Sequence, residues 1–568
     1  LAPAARLLLE GGWLTLGLLG ASYWALGRIT GGAVRNALAT GSLALISVGV
    51  LAGAIGILAG LQTGVPALPA PLWARAIMTA GFLLAAVAVV GISRSSGDRL
   101  GAAGWYLTAA PIWLTVSSAI GLIPTSDGIT GILHAGFVGA TITGLFVVTA
   151  SVGLIYAVIF AITDTDPTEA RPLASLGFWS LTVVWANLSA VPLIYTPAPD
   201  WYETISIAFA IAALVPLLTI AGDIALLVRG RVGDIGDRAS LRLTMVSGIS
   251  LAAATLVGLL WAWRATSAVI QYSPWVDAVW ALIVLGGASF AIFAAVSVMK
   301  GGSVTRTVHG ILSTVGLTII ALGTVAGGVA VGFSWAAGPA SQEYANAGAA
   351  WKVTIDTAEP FAWVVAIGAI VFFIGQIALL GTLGRRTNTA LAQPTAELPF
   401  DLELEGAPRY ATWSRLMWGT AGVWLFGALM TLILPIADDA DRDGTLLADT
   451  SRTYASGSAE AVGRDLYISE GCISCHTQVV RPVGTDVGLG PVSIAGDYAN
   501  EGPALLGAHR LGPDLMHYAS RGEFFDPVLV LAHLEDPRRV TPWSTMPSYS
   551  YLSGDELAAL VSYLETLR

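Results

Sequence analysis

The chain has 568 residues, 55% of them hydrophobic and 12% charged, with a formal net charge of −10 and a mean hydropathy of +0.71. Such a balance excludes a water-soluble globular protein over most of the length and excludes a basic nucleic-acid binder, so the lipid bilayer is the expected surroundings. The 65 glycines, with abundant alanine, suit helices that approach one another closely inside a membrane.

Taken in order, apolar runs long enough to span hydrocarbon occupy 11–28, 37–62, 72–92, 103–123, 136–163 and 173–194. Six more occupy 203–228, 241–263, 276–299, 308–333, 359–384 and 413–435, which makes twelve expected spans in an all-α polytopic bundle. Basic residues orient them, because short cytoplasmic loops carry an excess of Lys and Arg. One set of alternate loops holds Arg28, Arg35, Arg94, Arg99, Arg171, Arg229, Arg231, Arg238, Arg242, Lys300, Arg306, Arg385 and Arg386. The other holds Arg75, Arg264 and Lys352. Thirteen against three puts the first set inside, and everything after residue 436 outside. The chain begins at Leu1 rather than methionine, which is compatible with a processed or longer start.

Composition then changes. Residues 385–412 are polar and read as a cytoplasmic linker between a membrane unit, 1–384, and an anchor helix, 413–436. Residues 437–461 are acidic and rich in Ser and Ala, a tether, and 462–568 form an all-α globular domain.

That domain holds the only two cysteines of the chain, Cys472 and Cys475, followed directly by His476. This is the spacing for covalent c-type haem attachment. Two thiols one helical turn apart reach the two vinyl groups of one haem, and the adjacent imidazole lies beneath the iron. A half zinc site or a thioredoxin-like pair is the rival reading, and neither a second Cys pair nor a strand-helix redox pattern supports it. Covalent haem is attached on the outer, oxidising side of a bacterial-type membrane, the side on which the basic-residue bias places the domain. For the sixth ligand, Met546 in the proline-flanked stretch Ser-Thr-Met-Pro-Ser-Tyr is favoured over Met516, which follows a helix-starting Gly-Pro-Asp-Leu and reads as packing against the haem edge. His509, His517 and His533 stay open as alternatives.

The run GRDLYISEGCISCHTQVVRP over 463–482 is followed by SIAGDY at 493–498, RLGPDL at 510–515, HLEDPR at 533–538 and MPSY at 546–549. Together these resemble the mono-haem cytochrome c subunit (FixO type) of cbb3-type haem-copper oxidases. The resemblance implies one covalent haem c with His476 and Met546 as its axial pair, and places Arg481 and Pro513 in the haem surroundings. The motifs GFWSL at 177–181, LIYTPAPDW at 193–201 and YSPW at 272–275 resemble helix-loop signatures of the catalytic subunit I of the same enzymes. The first span resembles that subunit's second helix.

The metal ligands of that subunit are missing. Its copper-binding His-His pair falls on Val191 and Pro192, its two haem-binding histidines on Val279 and Ala281, its cross-linked tyrosine on Leu251 and the low-spin haem's other histidine near Ala5. Only His134 remains, at the position of the first copper ligand. His134 and His309 are the sole histidines of the membrane half, and each reads as a hydrogen-bonded core residue. Asp223 and Asp277 read as polar packing contacts, with no proton path. Trp185, Trp261, Trp263 and Trp280 are candidates for filling the volume that haems would vacate.

The expected function is therefore an electron-transfer cytochrome on a catalytically empty oxidase-like scaffold, without haem b or copper. The alternative is a functional cbb3-type oxidase subunit that reduces oxygen. Expected partners are the other subunits of a membrane respiratory complex, the lipid bilayer and a basic soluble cytochrome c. From residue 441 onward nine arginines, no lysine and seventeen acidic residues give a formal charge of −8, which attracts a basic redox partner.

Overall fold

The computed structural model describes residues 1–31, 36–65, 67–95, 100–124, 128–163, 171–230, 239–299, 308–337, 347–383, 412–440, 451–521 and 525–568. Helices make up the structure, and no strand occurs among the described residues. Nine of the described helices are long and apolar enough to cross a membrane, where twelve spans were expected.

The difference lies in three places. The first expected span is helical from Ala2–Leu7 through the π-segment Leu8–Leu14 and on to Thr15–Thr30, but Glu10, Trp13, Tyr23 and Trp24 lower its hydropathy. Gly101–Ile120 is a helix of 20 residues whose Trp105, Tyr106 and Trp113 face a protein interior. The run 173–194 is helical only over Pro172–Trp185, and a 3-10 turn follows at Val191–Leu193. Polar groups cause that break. Ser206 Oγ accepts from the Ala190 amide at 3.1 Å and donates to Asn187 O at 2.7 Å, and Tyr202 donates to Ser189 Oγ at 3.0 Å. Side chains of the next helix, Asp200–Ala212, thus satisfy backbone that the ended helix leaves open.

Close helix contact depends on missing side chains. Val308–Ala337 and Ala347–Leu383 pack so tightly that a Cβ at Gly316 would press on the Phe372 backbone and one at Gly368 on the Ile320 backbone. The linker at 385–412 lies outside the described residues except for Thr412, whose hydroxyl caps the next helix by accepting from the Arg415 amide. That helix runs from Trp413–Ala428 through Leu429–Ile433 to Leu434–Ala440.

In the C-terminal domain Ser458 caps Ala459–Ser469, and Ser553 with Glu556 forms a capping box at Gly554–Glu565. The two helices cross at Gly463, where the Ala559 carbonyl occupies the space a Cβ would need. Around the crossing, Tyr467, Leu505, Leu515, Val530, Leu534, Leu557, Leu560 and Tyr563 form the domain core.

The domain sits on one end of the bundle. Gln62 donates to Ser469 O at 2.7 Å, the Gly128 amide donates to Glu501 O at 2.8 Å, and the Arg510 amide donates to Tyr272 O at 2.9 Å. Asp277 accepts from His509 at 3.0 Å, and Trp335 lies beneath Arg510. All five positions belong to the end that the basic-residue bias assigns to the outside, so the alternation of spans is self-consistent.

Candidate haem site and its seat on the bundle

Gly471, at φ +75°, turns the chain into a 3-10 turn, Cys472–Ser474, rather than an α-helical turn. Cys472 O accepts from the amides of both Cys475 and His476, at 3.1 and 3.0 Å, which closes a tight turn over the motif. Cys472 and Met546 both pack against the domain core. Burial pushes the Cys472 thiol up to about 12 although Tyr549 hydrogen-bonds the sulfur, and burial raises Cys475 as well, so both are neutral thiols.

His476 is oriented by the segment that follows Arg510. Its Nδ1–H donates to Pro513 O at 2.8 Å, which leaves the Nε2 lone pair for a metal. Burial lowers the imidazole below its ordinary value while the Pro513 bond opposes this, so the ring is in its neutral, ligating form. Gly512 is required here, because a Cβ would run into the His476 ring, and its amide donates to Cys475 O at 2.8 Å. Two thiols, an oriented neutral imidazole and an apolar core fit a c-type haem. Among the described residues no group of three or more His, Cys, Asp or Glu side chains gathers to hold a metal ion, so the cysteine pair lacks partners for zinc.

Met546 is half-buried in an irregular stretch, its amide donating to Ser544 Oγ at 3.2 Å. Met516 is buried in a different cluster, which includes Val479, Val480 and Tyr498. His509 bonds Asp277, and His517 bonds Pro491 O at 3.1 Å. His533, on Pro527–Glu535, is half-buried and close enough to His476 to disfavour its charging.

Arg481 proves to be an interface residue. It is fully buried, donates to Asp486 at 2.8 Å and lies 5.3 Å over the Tyr272 ring of the membrane half. Arg510 shares the same carboxylate, donating to Oδ1 at 2.7 Å and to Oδ2 at 2.8 Å. Burial alone would raise Asp486, but Arg510 and Arg481 outweigh it and hold the carboxyl far below the usual carboxylate range. Sequence reasoning missed Asp486, Arg510, Thr477 and Tyr272 as a unit. The available signal was the pair of arginines that follow the haem motif, Arg481 and Arg510, with Asp486 between them.

In the membrane half His134 donates through Nε2 to Ile120 O at 2.9 Å, and its Nδ1 has no partner among the described residues. Val191 packs with Ala210 and Ala262, Ala281 is buried, and Leu251 presses on Gly287. Val279 is half-buried, Pro192 and Ala5 are exposed, and the Pro192 carbonyl accepts from Gln271 at 2.6 Å. Trp185 lies over Gly144, Trp261 donates to Gln271 and Trp280 donates to Glu10 at 2.6 Å. Trp263 is exposed and fills no interior volume. Asp223 pairs with Arg171 at 3.0 Å.

Residues 431–567 match the family described as cytochrome C oxidase, mono-heme subunit/FixO. The matched segment carries every residue of the candidate haem site, and the match supports an oxidase-associated electron-transfer role. Among solved structures, a heme-copper terminal oxidase dimer determined by cryo-EM is similar at a TM-score of 0.53 and 15% identity, over 73% of this chain and 81% of its own. That likeness establishes an oxidase-like fold. No curated protein matches the chain.

Proposed function

We propose that the chain is a membrane-bound mono-haem c-type cytochrome subunit that passes single electrons at the outer, periplasmic face. In this reading Cys472 and Cys475 would hold the haem as thioethers, and His476 and Met546 would be the protein ligands of its iron. The observation that carries it is the His476 Nδ1–H bond to Pro513 O, which presents Nε2 beside two cysteines in a family-matched segment. Bound there, haem c supplies one-electron redox chemistry. The chain's own residues fix the imidazole tautomer through Pro513, keep water off the site with Leu505, Leu515, Leu534 and Tyr549, and present an acidic outer surface.

The membrane half, 1–384, serves as a catalytically empty oxidase-like scaffold, joined by the linker 385–412 to the anchor 413–436, the tether 437–461 and the haem domain. Support comes from the side chains at the family's ligand positions: Val191, Pro192, Val279 and Ala281 offer no lone pair. Electrons then leave along the outer surface to a neighbouring subunit. The test is a pyridine haemochrome with metal analysis of the purified chain. One haem c per polypeptide, with neither haem b nor copper, is the expected result. Stoichiometric haem b or copper establishes instead the functional cbb3-type oxidase, a reading favoured by the fold likeness and by His134.

A further inference from the structure

We propose that Tyr272, a residue of the membrane half, is a positioning residue for the iron ligand His476, acting through Arg510 and the short segment that ends at Pro513; this rests on the haem c reading above. Tyr272 is buried and holds φ +66°, a left-handed conformation that a bulky side chain adopts only when its surroundings enforce it. Its ring lies beneath two guanidinium groups, 5.3 Å from Arg481 and 5.6 Å from Arg510, and its carbonyl accepts from the Arg510 amide at 2.9 Å. Trp335 adds a second ring, 5.9 Å from Arg510.

Arg510 is committed on every side. Its Nε donates to Thr477 Oγ1 at 2.7 Å, the residue next to His476, while Nη2 donates to Val479 O at 2.8 Å and both terminal nitrogens grip Asp486. Two residues further on, Gly512 holds Cys475 O, and Pro513 O then receives the His476 Nδ1–H. The Thr477 side of the imidazole is thus tied to the Arg510 guanidinium and the Pro513 side to the Arg510 backbone three residues earlier, while that guanidinium lies against the Tyr272 and Trp335 rings of the membrane half. The strength of the bond at Nδ1 sets how strongly the imidazole donates to a metal at Nε2. Loosening the clamp lets the Pro513 carbonyl drift, weakens that donation and favours the reduced haem.

The experiment uses the full chain in detergent and reads the haem c midpoint potential and the EPR g-values of the ferric form. Tyr272→Gly keeps the left-handed backbone and the carbonyl while deleting the ring, and Tyr272→Phe keeps the ring. Tyr272→Gly is expected to favour reduction about tenfold, equivalent to about 59 mV for one electron, and to move the g-values. Tyr272→Phe is expected to match the parent chain. A haem-replete Tyr272→Gly with unchanged potential and g-values overturns the proposal, as does a Phe variant shifted as far as the Gly variant. Should Tyr272→Gly fail to retain haem, Trp335→Leu decides, with a shift in the same direction expected and no shift overturning. A parent chain without haem c in the pyridine haemochrome overturns the underlying haem reading instead, which keeps the two failures distinct.

Discussion

The sulfur of Met516 lies 3.4 Å from Nη2 of Arg452 and 3.7 Å from the hydroxyl of Tyr498. Its lone pairs are therefore engaged by donors other than a metal. Met546→Leu is expected to abolish the weak thioether-to-iron absorption at the red edge of the visible spectrum, and Met546→His to lower the midpoint potential. Met516→Leu is expected to leave the band in place. Loss of the band in the Met516 variant alone reverses the assignment.

Gly512 offers a second test. The His476 ring occupies the space of the missing Cβ, so Gly512→Ala must push the imidazole off the Pro513 carbonyl or displace the segment. Expected is a several-fold fall in covalently bound haem per purified chain, read by haem-staining gel against total protein. Equal haem content in the Ala variant would show that the ring has room elsewhere.

The carboxylate of Asp486 neutralises two buried arginines at the seam between the halves. Asp486→Asn leaves them uncompensated and is expected to destabilise the docked domain by about 3–5 kcal/mol, seen as a lowered thermal midpoint of the haem absorbance. The pH dependence has a definite sign. Because the folded carboxyl is held below its unfolded value of about 3.9, its contribution is complete above about pH 4 and fades as pH falls further. An acid titration of the parent chain should lose stability in that low window, and Asp486→Asn should flatten it. A variant with the same acid profile as the parent removes the role given to this carboxylate.

An acidic outer domain of formal charge −8 steers a basic partner over a range set by salt. Electron transfer to or from a basic soluble cytochrome is expected to slow steeply as ionic strength rises. A rate independent of salt leaves the charge as a solubilising surface only.

The haem motif was legible in sequence because its chemistry is local: two thiols and an imidazole within five residues. The role of Arg481 was not, since its partners Tyr272 and Ser267 lie more than 200 positions away and only folding brings them together. Hydropathy found the apolar runs but not where helices end. Nothing apolar marks the stop at Trp185; it is made by Asn187, Ser189 and the hydroxyls that arrive from the following helix. Likewise Trp263 reads as bulk available for an interior and turns out to face away from it, because it precedes the helix Arg264–Ile270 and lies outside the packed layer.

The seat of the haem domain on Gln62, Gly128, Tyr272, Asp277 and Trp335 also fixes an order of assembly. All five precede Arg481 and Arg510 in the chain, so N-to-C synthesis delivers a finished platform before the charged cluster emerges. Two of those contacts, Gln62 to Ser469 and Gly128 to Glu501, are separated by 407 and 373 positions, and contacts so distant in sequence are slow to find. Bundle insertion comes first and cytochrome docking last, with the arginines meeting their aromatic cover as soon as they fold.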